Sequence, residues 1–87
     1  MAKVKKLSSD EWIFLISNRL KDLRKGLGYT SYETFALDYG LDRKQYWRIE
    51  NGSNITIRTL VKILEIHEKD LIVFFKEIEV LKKTTLK

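Results

Sequence analysis

The chain has 87 residues, 44% of them hydrophobic, with a net charge of +5 and neither cysteine nor proline. That suits one small folded domain, excludes disulfides and thiolate metal sites, and fits a reducing compartment. No apolar run approaches the roughly 20 residues of a membrane span, and the basic start "MAKVKK" leads into "LSSDEW", not into an apolar leader, so a cytoplasmic location is expected.

A basic tail is expected over residues 1–7, one domain over 8–83 and a short tail over 84–87. β-Branched residues never alternate cleanly, so the chain reads as all-α. The first helix starts at a capping box, Ser8 with Glu11, where Leu7 can staple onto Trp12. Trp12, Ile16, Leu20, Leu23 and Leu27 then form one helical stripe, and Gly26 and Gly28 supply the stop. In "YTSYETFALDYG", Thr30 or Ser31 caps a short second helix with Phe35, Ala36 and Tyr39 on one side, ended by Gly40.

Asp42 caps a third helix that Gly52 terminates. Tyr46 and Ile49 are its packing residues, which leaves Arg43, Lys44, Gln45 and Arg48 on the other side. A small residue at Ala36, a glycine at Gly40 for a sharp turn, and the anchors Tyr46 and Ile49 make the layout of a helix-turn-helix. Arg43 to Leu64 holds five basic residues and one acid, whereas Glu65 to Lys87 holds five acids and five lysines. The basic excess in the middle of the chain points to a polyanionic partner.

Thr56 caps a fourth helix, Ile57 to about Glu65, with a stripe of Ile57, Leu60, Val61 and Leu64. A short break near Ile66–His67 precedes a last helix from about Glu68 to Lys83. There Leu71, Phe74, Phe75, Ile78 and Leu81 form a core-covering stripe, while Ile72, Val73 and Val80 are left over. The surplus suggests a self-association surface; the alternative is a fuller monomer core with Trp12 packed on the strip.

His67 is the single histidine and has no nucleophile or metal-ligand partner in sequence; it is expected to cap the last helix or face solvent. "KGLGY" has two glycines but no strand–helix context for a phosphate loop. No enzyme activity, cofactor, metal or small-molecule substrate is expected.

The stretch "RLKDLRKGLGYTSYETFALDYGLDRKQYWRIENG", followed by "TIRTLVKIL" and "DLIVFF", resembles the bacterial regulators of the Cro and phage-repressor type, the xenobiotic-response-element helix-turn-helix group. The resemblance implies a compact five-helix, lambda-repressor-like domain that binds double-stranded DNA. It implies that Arg43, Lys44, Gln45 and Arg48 read base edges, and that phosphates are held by Ser31 and Tyr32 before the turn and by Asn51, Ser53, Asn54, Thr56 and Arg58 after recognition. It also implies a buried salt bridge between Arg24 and Glu50, a homodimer built on the last helix, and a repressor or autoregulator in the nucleoid. Trp47 departs from the small residue common in relatives. Its indole either touches DNA, at a thymine methyl or the sugar wall, or packs as core. Two other readings use the same fold: the antitoxin of a toxin–antitoxin pair, or a protein-interaction module that does not read DNA.

Overall fold

The computed structural model describes residues 6–85; of the expected tails, residues 1–5 and 86–87 lie outside that range, whereas 84–85 belong to the last helix. Five helices follow in order: α1 (Ser9–Gly26), α2 (Tyr32–Asp38), α3 (Arg43–Glu50), α4 (Ile57–Ile66) and α5 (Leu71–Thr85), with no strand among the described residues. The fold is the all-α, lambda-repressor-like arrangement.

Local chemistry sets each start. At α1 the Ser8 hydroxyl accepts from the Glu11 N–H at 3.1 Å, and the Glu11 carboxylate accepts from the Ser8 N–H at 2.9 Å. Ser31 caps α2, Asp42 caps α3 and Thr56 caps α4, each through a side-chain oxygen that accepts backbone N–H groups of the first turn. Between α2 and α3, Gly40 adopts φ +69°, a left-handed angle that reverses the chain without steric strain. The Leu41 N–H then closes the turn on the Ala36 carbonyl at 2.8 Å.

The break before α5 lies later than the sequence suggested. α4 runs to Ile66, and Glu68 takes φ 55°, where the other helix ends use glycine. The Lys69 N–H returns to the Leu64 carbonyl at 3.0 Å, so the end satisfies its carbonyls without the glycine signal. α5 therefore begins at Leu71, not near Glu68, and Asp70 accepts from the Val73 N–H at 2.8 Å.

The core is Leu20, Phe35, Ala36, Tyr46, Ile49, Leu60, Ile63, Leu64, Phe74 and Ile78. Phe35 is its hub: its ring centroid lies 5.3 Å from Tyr29, 5.0 Å from Tyr39, 5.2 Å from Tyr46 and 5.6 Å from His67. The α4 face differs from the expected stripe. Ile63 is buried with Leu60 and Leu64, while Ile57 and Val61 are exposed, because the core meets α4 on the side that carries residues 60, 63 and 64. Leu27, Tyr39 and Leu81, placed on inward stripes from spacing, are also partly exposed, at 48%, 42% and 43%. Trp12 is a border residue that meets Phe75 edge-on at 5.8 Å.

His67 is not the cap of the last helix, nor is it in solvent. It ends α4 and stacks on Phe35 at an interplanar angle of 12°, with its Nε2 buried and unpartnered. Burial, with the nearby charges of Lys69 and Arg19, holds its pKa below the ordinary 6.5. Both cations grip Glu77: Arg19 donates to Oε1 at 2.8 Å and Lys69 to Oε2 at 2.6 Å, tying α1 and the α4–α5 link to α5. Burial pushes the Glu77 carboxyl up, but hydrogen bonds and charge from Lys69 and Arg19 outweigh it, so the net shift is downward.

Both shifts make acid destabilising. The unfolded chain takes up the His67 proton near 6.5 while the folded chain resists, so stability is complete above that pH and declines below it. Glu77 adds its loss only once pH falls below the carboxyl's ordinary 4.5. The thermal midpoint should therefore hold from about pH 8 to 7 and fall in the interval below about pH 6.5, where the unfolded chain's histidine takes up its proton. His67→Phe should flatten that interval in a calorimetric series; an unchanged slope would exclude His67 as its source.

Candidate nucleic-acid interface

α3 is fastened on one side and open on the other. Tyr46, Ile49 and Glu50 are buried, while Arg43, Lys44, Gln45, Trp47 and Arg48 are exposed. At 3.6 residues per turn, residues three and four apart share a face, so fixing 46, 49 and 50 inward turns 44 and 48 outward.

The inward side is held by charge as well as packing. Arg24 Nε donates to Glu50 Oε2 at 2.8 Å, its Nη2 donates to Oε1 at 2.9 Å, and its Nη1 donates to the Tyr29 carbonyl at 2.7 Å. Both partners are buried, so this two-pronged bridge sets the angle between α1 and α3. The guanidinium pKa is raised, first by the hydrogen bond to Glu50. The Tyr46 hydroxyl is buried next to the pair without a hydrogen-bond partner, and burial pushes its pKa up, so it stays a neutral phenol.

The outward residues split between two edges. Arg43, Lys44, Trp47 and Arg48 share an open groove of about 360 Å³ with Tyr32 and Glu33 at the start of α2. Gln45 faces the other way, towards Leu41, Thr59 and Lys62. Across the groove, Arg43 Nη1 donates to Glu33 Oε2 at 3.3 Å. Sequence reasoning did not single out Glu33; its place one residue after Tyr32 in "SYETFA" was the available signal. The pair is exposed and so weakly stabilising, but it biases the guanidinium towards α2.

The residues expected to hold phosphate lie at both ends of this surface. Ser31 and Tyr32 are half-buried at the start of α2, and the Ser31 hydroxyl accepts from the N–H groups of Glu33 and Thr34. Asn51, Ser53, Asn54, Thr56 and Arg58 are exposed after α3. The backbone N–H groups of Asn51 and Ser53 are not free to meet a phosphate: both donate to carbonyls at the end of α3, that of Ser53 to Arg48 at 2.9 Å. The Asn51 amide likewise folds back on the Trp47 carbonyl at 2.8 Å. Open donors remain on the first turn of α4, where Thr56 satisfies the Thr59 N–H. Ile72, Val73 and Val80, the surplus apolar residues of α5, are exposed at 67%, 44% and 62%.

A short helix braced from behind and presenting cations across a tight glycine turn defines a helix-turn-helix DNA-binding protein. The chain belongs to the helix-turn-helix family of the Cro/C1 type, whose family model matches residues 20–74. It is therefore a DNA-binding helix-turn-helix regulator, and its partner is double-stranded DNA. No curated protein and no solved structure gives a match. Among the described residues, no helix is long and apolar enough to cross a membrane, and no three His, Cys, Asp or Glu side chains gather as metal ligands.

Proposed function

We propose that the protein is a sequence-specific transcriptional regulator that occupies its operator as a homodimer and represses, its own gene included. Arg43, Lys44, Gln45 and Arg48 read base edges in the major groove. Ser31, Tyr32, Ser53, Asn54, Thr56 and Arg58 hold the flanking phosphates, with Asn51 closing the loop between them. The observation that carries this reading is the outward cationic face of α3 opposite a fully packed inner face. Arg and Lys suit the O6 and N7 of guanine, Gln suits adenine, and the major groove accepts a helix of this width.

The exposed Ile72, Val73 and Val80 of α5 support the dimer. A two-fold pair would place two copies of α3 about one turn of DNA apart, roughly 34 Å. Selection of bound duplexes from a random pool is the test. A pair of inverted half-sites at that spacing supports the reading, and a single half-site rejects the dimer. Binding no tighter than any polycation's, with no enriched sequence, rejects specific reading and favours an interaction module. Light scattering at tens of micromolar should give twice the chain mass, and Ile72→Asp should lower it; monomer mass throughout rejects self-association.

Arg58→Ala should act differently from changes on α3. A phosphate contact carries no sequence information, so every duplex should weaken alike and the salt slope should fall by about 1 for each protomer bound. Anisotropy titrations at several salt concentrations check this, and a changed sequence preference would contradict it.

A further inference from the structure

We infer that Trp47 is a specificity-determining residue that takes the C5-methyl group of one thymine in each half-site. The inference rests on the DNA-reading function proposed above. Trp47 is 47% exposed on a helix whose other outward residues are polar or cationic. The contrast with the second tryptophan is informative. Trp12 sits against Phe75, whereas no ring contact engages Trp47 among the described residues. The indole is therefore neither core nor part of the aromatic cluster around Phe35.

Its position says what it can meet. Around the helix, Trp47 lies about 40° from Arg43 and about 60° from Lys44. It shares the groove between α2 and α3 with both of them and with Arg48. A pose that brings Lys44 and Arg48 to base edges brings the indole to the same floor. Glu33 draws the Arg43 guanidinium towards α2 at 3.3 Å, which leaves the indole between that pair and Lys44. The floor of the major groove is polar except for one group, the thymine methyl. An apolar surface held there gains only where that methyl is present, so the cations would read guanine while the indole reads thymine beside it.

The test uses the selected operator and unaltered protein. Each thymine is replaced in turn by deoxyuridine, which removes only the methyl. One position per half-site should weaken binding about fourfold, the value of one buried methyl. Trp47→Ala removes the indole from both half-sites, so it should lose about sixteenfold on the thymine operator and show no response to uracil at that position, while Trp47→Phe should keep part of it. The indole is exposed, so these variants should retain the helical circular dichroism of the parent. An operator without thymine, no response to uracil anywhere, or an equal response in parent and Trp47→Ala would overturn the inference while leaving DNA reading intact; a contact to the sugar wall would give the second of these. Selection of no operator at all would instead overturn the DNA-reading function itself.

Discussion

Glu50→Ala should remove about 3–5 kcal/mol of folding stability, the range for breaking a buried ion pair by deleting one partner. The reason is the charge left behind. Arg24 is 5% exposed, and two of its donors end on Glu50. Without the carboxylate, the guanidinium keeps the Tyr29 carbonyl but loses its counter-charge in a site with little water. Domains of this size hold about 4–13 kcal/mol in total, so the variant should lose a large share of its stability and unfold at a much lower urea concentration than the parent. Urea unfolding followed by circular dichroism measures the effect. The double variant Arg24→Met with Glu50→Leu separates the two contributions: it strands no charge, so it should lose much less than Glu50→Ala. Equal losses would mean that the packing shape of the pair, not its charge, carries the effect.

The second large effect concerns recognition. Arg43→Ala, Lys44→Ala and Arg48→Ala should each reduce the preference for operator over random duplex, by about 1–3 kcal/mol for each good base contact. The three should not be equal. Arg43 already shares a hydrogen bond with Glu33, so part of its gain on binding DNA replaces an existing contact. Lys44 and Arg48 have no ion pair among the described residues and point away from the core, so their losses should be larger. Glu33→Gln frees Arg43 and removes a negative charge from the groove; it should strengthen binding to all duplexes. Competition anisotropy with operator and scrambled duplex reads each case. If all three alanine variants keep the parent's operator preference, α3 is not the reading element.

Much of the architecture was legible without coordinates because its signals are local. A serine three residues before a glutamate, an aspartate ahead of "RKQYWRIENG" and glycines just past helix ends each act over a single turn, and the structure has caps and stops at those places. The α4–α5 link was misread because Glu68 adopts the left-handed angle that usually advertises itself as glycine. Spacing alone also misjudged α4. Ile57, Val61 and Ile63 are similar in hydrophobicity, and only the side on which the rest of the core meets α4 decides that Ile63 goes inside. His67 was misplaced for the same reason: its neighbour Phe35 is 32 positions earlier in the chain.

Alone, then, the amino-acid order determined the number of helices, the tight turn, and the set of long cationic side chains on a short helix. Those follow from backbone hydrogen bonding and steric rules that need only adjacent residues. Packing decided the rest: that Glu77 clamps Arg19 across 58 positions, that Glu33 reaches Arg43, and that Trp47 stands outside instead of filling the core. Such contacts join segments whose separation in sequence carries no period. They exist only once burying Phe35, Tyr46 and Phe74 has fixed how the helices cross.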